Sequence, residues 1–113
     1  MTRKYHLGEF EETVLLIVAV QHGQAYGMSI TNVIEADLGR SVNMSSVHTA
    51  LYRLEQKGFV KSEMGGASDQ RGGRKKRMFS ITSVGKEAIL EAKEARQYLW
   101  GQMPGYVFEG NSQ

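Results

Sequence analysis

Residues 43–64 read NMSSVHTALYRLEQKGFVKSEM, and this stretch decides the fold. Val47, Leu51 and Leu54 recur at helical spacing, which places them on one inward face. Gly58 ends the helix, and residues 59–64 then read as a strand. A helix of about 13 residues is roughly 20 Å long, a length that fits the DNA major groove, which is about 12 Å wide.

The outward face of this helix carries short or planar hydrogen-bonding side chains, where a solvated helix usually carries glutamate and lysine. These side chains are Ser45, Thr49, Tyr52 and Gln56, flanked by His48 and Arg53. Either the face is simply solvated, or it contacts a polar partner. Together with the basic strand described below, the pattern favours a DNA recognition helix over residues 45–57.

Two helices precede this one. Residues 7–21 form an apolar first helix, and its apolar surface on nearly all sides predicts a central position partly covered by a second subunit. Residues 25–38 form a second helix whose inward stripe is predicted to be Ile30, Val33, Ile34 and Leu38. The link 39–42 is short, and Asn43 or Ser45 can cap the next helix. This is a helix-turn-helix pattern.

A hairpin follows the recognition helix. Residues 59–64 and 75–82 are the predicted strands, and a glycine-rich loop joins them. Five basic residues lie within seven positions, with no acid among them: Arg71, Arg74, Lys75, Lys76 and Arg77. Such a hairpin is typical of a wing that contacts phosphates or the minor groove, although Arg77 can instead pack over the sheet.

A fourth helix is predicted from residue 83 to about residue 100, capped by Thr82 or Ser83. Its apolar stripe is Val84, Ala88, Ala92, Ala95 and Leu99, and small residues there favour close packing on another helix. The sequence thus predicts a mainly α protein with a small antiparallel β-hairpin. The architecture is a winged helix-turn-helix (residues 1–82) continuous with a C-terminal dimerisation helix and tail (residues 83–113).

Composition excludes several classes of function. The 113 residues contain no cysteine, which excludes disulfides and thiolate sites and agrees with a cytoplasmic protein. The longest apolar run, residues 14–20, is far shorter than the roughly 20 residues of a membrane helix. His6, His22 and His48 lack ligand spacing, and the chain has no nucleophile motif. We expect neither an enzyme nor a cofactor or metal.

Three segments resemble the PadR family of bacterial transcriptional regulators. GQAYGMSI (23–30) is similar to the family's Gly-x-x-Tyr-Gly-x-x-Ile segment, SSVHTALYRLEQKGFV (45–60) to its recognition helix, and GRKKRMFSITSVG (73–85) to its basic wing strand. His48 stands where the family usually has tyrosine, and Met78-Phe79 where it usually has an aromatic pair. The resemblance implies a winged helix, a homodimer built through the terminal helix, and repression of a promoter. In several members a small hydrophobic effector releases DNA.

These considerations assign two surfaces. The predicted DNA-binding residues are Asn43, Ser45, Ser46, His48, Thr49, Tyr52, Arg53, Arg71, Arg74, Lys75 and Lys76. The predicted dimer interface is Ala88, Ala92, Ala95, Leu99 and Trp100. Aromatic residues near Trp100 either pack in the dimer or stack a flat aromatic effector. The alternative function is a winged-helix module that binds another protein instead of double-stranded DNA.

Overall fold

A computed structural model describes residues 3–65 and 75–109. Its elements follow the predicted order: α1 (Glu9–Gln21), α2 (Gly27–Ala36), α3 (Met44–Gln56), β1 (Val60–Gly65), β2 (Lys76–Ile81) and α4 (Ser83–Gln102). A 3-10 turn (Gly105–Phe108) follows α4. The predicted winged helix-turn-helix with a small antiparallel hairpin is therefore confirmed.

The first helix lies at the centre of the molecule, as predicted. It contacts α2, α3, α4 and β2, and its Val14 and Leu15 are fully buried. The opposite face of α1 is uncovered within the protomer, because Leu16 is 44% exposed and Val20 is 77% exposed. The expectation that α1 is covered on nearly all sides is therefore not met by the protomer alone.

The strands β1 and β2 pair antiparallel, with Val60 opposite Ile81 and Gly65 opposite Lys76. A third segment of backbone joins the sheet at Ala25, whose carbonyl oxygen accepts the N–H of Phe79 at 2.8 Å. The predicted start of the second helix at Ala25 is wrong. The helix begins only at Gly27, because Ala25 is bonded to the wing strand.

One further detail differs from the sequence prediction, and one element was not predicted. Leu38 is 55% exposed instead of buried, because α2 already ends at Ala36. The terminal tail contains the 3-10 turn, whose Phe108 stacks on Trp100 with ring centroids 5.9 Å apart. The predicted caps are more accurate: the Thr82 side chain accepts the N–H of Gly85 at 3.0 Å.

Candidate nucleic-acid interface

The helix α3 divides into a buried and an exposed face, as its sequence predicts. Val47, Leu51 and Leu54 are at most 1% exposed, and they fix the helix on the core. The predicted DNA-facing side chains of Ser45, Ser46, His48, Thr49, Tyr52 and Arg53 are all exposed. On this face the amide of Gln56 donates to the hydroxyl of Tyr52 at 3.0 Å.

The amino-terminal end of α3 is organised by Asn43. Its Oδ1 accepts the backbone N–H of Ser46 and the hydroxyl of Ser45, both at 2.8 Å. Asn43 therefore caps α3, as predicted, and this cap uses the hydroxyl proton of Ser45 and the N–H of Ser46. The backbone N–H groups of Met44 and Ser45 belong to the first turn of the helix and precede its first intrahelical bonds, and such groups favour an anion.

The wing lies directly beside α3. Pairing of Phe79 with Ala25 holds β2 against the start of α2, and the ammonium of Lys76 lies 4.2 Å from the centre of the Tyr26 ring. A groove of about 560 Å³ opens here, and His48 of α3 lines it together with Lys76 and Arg77 of β2. The structure thus brings the recognition helix and the basic strand together.

The structure describes only one of the three remaining predicted basic residues of the hairpin. Lys75 is exposed just before β2. Arg71 and Arg74 lie outside the described residues, so their predicted contacts stay predictions. Of the five predicted basic residues, the structure therefore describes Lys75, which lies just before β2, and Lys76 and Arg77, which lie in it.

The opposite flank of α3 is electrostatically different. Lys57 Nζ lies 2.6 Å from the carboxylate of Glu11 and also donates to the carbonyl of His6 at 3.0 Å. Burial raises the pKa of Glu11, but the hydrogen bonds from Lys57 and Gly8 and the nearby charge of Arg53 hold that pKa below its usual range. Cationic and anionic side chains thus offset each other here, whereas the wing side carries an excess of positive charge.

A second feature is an apolar cleft between α1 and α4. Leu16, Leu90 and Trp100 line it, and they are 44%, 52% and 64% exposed. At its edge the guanidinium of Arg96 lies 2.5 Å from the carboxylate of Glu12, which raises the pKa of Arg96. Helical spacing places Leu16 and Leu90 away from the buried faces of α1 and α4, so both leave apolar surface at the cleft.

The predicted dimer-interface residues fall into two groups. Ala88 and Ala92 are 0% and 4% exposed within the protomer, so almost none of their surface is left for a second subunit. Ala95 is partly buried, whereas Leu99 and Trp100 are exposed. Only the carboxyl-terminal half of the predicted stripe is available to a partner.

The comparison with protein families decides what kind of protein carries this interface. Residues 14–91 match the transcriptional regulator PadR-like family. The chain belongs to this family. The matched range runs from the middle of α1 through α2, α3 and both strands to the first half of α4, so the resemblance that the sequence motifs suggested is confirmed.

Solved structures agree on the fold of this PadR-like protein. A PadR-like transcriptional regulator from Bacillus cereus superposes with a TM-score of 0.71 at 20% identity, covering 90% of this chain and 93% of that one. A PadR-like transcription factor from Bacteroides fragilis superposes with a TM-score of 0.70 at 18% identity, covering 81% of this chain and 84% of that one. A PadR family regulator from Eggerthella lenta superposes with a TM-score of 0.61 at 24% identity, covering 87% of this chain and 82% of that one. No curated protein matches the sequence significantly.

Family membership confirms the class of function. PadR-like proteins are transcriptional regulators built on a winged helix-turn-helix, and the chain is accordingly a DNA-binding regulator and not an enzyme. Across residues 3–65 and 75–109, no cluster of three histidine, cysteine or acidic residues suits a metal ion. No helix in the same ranges has the length and hydropathy needed to cross a bilayer.

Proposed function

We propose that this PadR-like regulator binds an inverted-repeat operator as a homodimer in the cytoplasm and represses the promoter that contains it. One observation carries the proposal: His48 of the exposed α3 face and Lys76 of the wing line the same groove. A duplex seated on α3 would therefore meet hydrogen-bonding side chains in its major groove and positive charge on the adjacent backbone.

The proposed DNA contacts are of two kinds, those that read bases and those that bind phosphates. Thr49, Tyr52 and His48 present groups that can distinguish base edges, whereas Lys75 and Lys76 present charge that favours any phosphate. Two-fold symmetry would place the half-sites about 34–36 Å apart, or a multiple of that distance.

The dimer is supported by the apolar cleft between α1 and α4. Leu16 and Leu90 leave apolar surface at the cleft, and Leu99 and Trp100 extend it toward the end of α4. A second copy of the chain that inserts its own α4 would cover these side chains. A small hydrophobic or aromatic effector would compete for the same apolar surface and release the DNA by altering the spacing of the two recognition helices.

Salt titration tests the proposal. Phosphate contacts predict that the logarithm of the affinity falls linearly with the logarithm of the salt concentration, with a slope of about −0.9 for each neutralised phosphate. We expect the protein to select an inverted repeat from a random duplex library and to prefer it over unselected duplex. Equal binding of both at every ionic strength would reject this function in favour of a protein-binding module.

A further inference from the structure

Arg77 of the wing strand is connected to the recognition helix through one serine. Arg77 Nη1 donates to Oγ of Ser62 at 3.0 Å, and the same Oγ donates to the carboxylate of Glu55 at 2.7 Å. Glu55 lies on the last turn of α3, Ser62 on β1 and Arg77 on β2. The three side chains therefore join α3 to both strands of the wing.

The direction of these hydrogen bonds is fixed by the chemistry of the groups. A guanidinium can only donate, and an ionised carboxylate can only accept. Ser62 has one proton, which it gives to Glu55, so that its lone pairs face Arg77. A side chain that lacks either the proton or the lone pairs could not connect Glu55 with Arg77.

Sheet register places Arg77 on the side of the hairpin that faces α3. Ser62 pairs with Phe79, and Met64 pairs with Arg77, so Ser62 and Arg77 are diagonal neighbours on one face. Phe79 is buried on that face and anchors it to the core. Arg77 is exposed beyond Phe79 and lines the same groove as His48.

The arrangement holds Arg77 without neutralising it. Only one of the five guanidinium N–H groups is bonded to Ser62. Within the described part of the chain no ion pair joins Arg77 directly to Glu55, because Ser62 stands between them. Arg77 is exposed and lines the groove, so its other N–H groups are accessible to a ligand bound there.

We propose that Arg77 is a phosphate-contacting residue of the DNA interface and that Ser62, oriented by Glu55, is the residue that positions it. This inference rests on the proposed DNA-binding function. It favours a phosphate contact for Arg77 over the alternative that this residue only packs over the sheet, and it assigns a task to Glu55 and Ser62, which the sequence analysis did not name as contacts. The Glu55–Ser62–Arg77 connection also links the position of the Arg77 charge to the recognition helix.

A double-mutant cycle tests the positioning role. Affinity is measured for an unselected duplex of about 30 base pairs at low salt, because a phosphate contact does not depend on sequence. We expect Arg77→Ala to weaken binding about tenfold, in line with a lost charge-assisted hydrogen bond, and to reduce the salt slope by about 0.9. Ser62→Ala should weaken binding about threefold in the wild-type background and leave it unchanged in the Arg77→Ala background.

Two further variants separate positioning from folding. Ser62→Thr keeps the hydroxyl and suits a strand, so it should restore wild-type affinity. Ser80→Ala, a matched change on the other face of β2, should have no effect on affinity. Thermal melting of every variant is recorded in parallel.

The outcomes discriminate between the claims. A Ser62→Ala loss that persists in the Arg77→Ala background, or no loss in either, would overturn the positioning role. An unchanged affinity and salt slope for Arg77→Ala would overturn the phosphate contact while leaving the proposed function intact. Failure of the wild-type protein to bind any duplex at low salt would remove both the function and this inference.

Discussion

Gly27, the first residue of α2, lies directly beneath the imidazole of His48 in α3. A Cβ atom built on Gly27 would lie 2.7 Å from Cε1 and 2.9 Å from Nε2 of His48, closer than real Cβ contacts allow. The missing side chain of Gly27 makes room for the side chain of His48. Helices α2 and α3 thus approach each other at Gly27, and the space beside this glycine holds the imidazole of His48 at the wing groove.

Gly27→Ala should therefore alter recognition more than stability. The added methyl group must displace the imidazole, whereas the backbone of α2 can stay, because its conformation there suits alanine. We expect about tenfold weaker binding to the selected operator, a magnitude typical of one lost base contact, with little change in binding to unselected duplex. Competition between the two duplexes measures the ratio of the affinity for the operator to the affinity for unselected duplex. If this ratio is unchanged in the variant, His48 does not read the operator.

Gly85→Ala should damage the fold itself. A Cβ on Gly85 would lie 2.1 Å from the carbonyl oxygen of Phe59, a backbone atom that cannot move aside. Since the first turn of α4 packs against the residue that precedes β1, we expect the free energy of unfolding to fall by about 3 kcal/mol. Urea denaturation measures it. Gly101→Ala is the matched control, because a Cβ there meets nothing within 4 Å.

Periodic patterns in the sequence predicted the elements and the exposed face of α3 well. Val47 and Leu51 are local signals, because helical spacing alone places them on one side. Ala25 could not be assigned in this way, since its place in the sheet depends on Phe79, which is distant in sequence. The position of Arg77 was equally undetermined, because strand alternation gives its face but not its hydrogen-bond partner.

The fourth helix shows a related limit. Its small residues correctly indicated close packing, yet periodicity does not reveal whether the neighbour is the same chain or another. Ala88 and Ala92 pack within the protomer, so a charge at Ala92 would test the core and not the dimer. Exposed side chains such as Leu90 are needed to test the interface.

The ion pair between Glu11 and Lys57 predicts how stability depends on acidity. The pKa of Glu11 in the folded protein lies below the ordinary 4.5, so the unfolded chain binds its proton more readily. The stabilisation is therefore present above about pH 4.5 and is lost as the pH falls through the folded-state value. Urea midpoints measured between neutral and acidic pH should fall less steeply for Glu11→Gln than for the wild-type protein.

The control for this experiment is Glu35→Gln, a change at an exposed carboxylate of α2. We expect its stability to follow the wild-type dependence on pH. If Glu11→Gln also follows the wild-type curve, the pairing with Lys57 does not contribute to acid sensitivity.

The apolar cleft predicts the consequence of placing a charge on its wall. Leu90→Glu introduces a carboxylate at a side chain that is 52% exposed in the protomer, so the isolated fold tolerates it and circular dichroism should be unchanged. If a second copy covers the cleft, the buried charge would oppose association, and light scattering should report monomers. Operator affinity should then fall steeply because each monomer engages only one half-site, whereas Asn32→Glu on α2 should leave the oligomeric state unchanged. A stable dimer in the Leu90→Glu variant would place the interface on another surface.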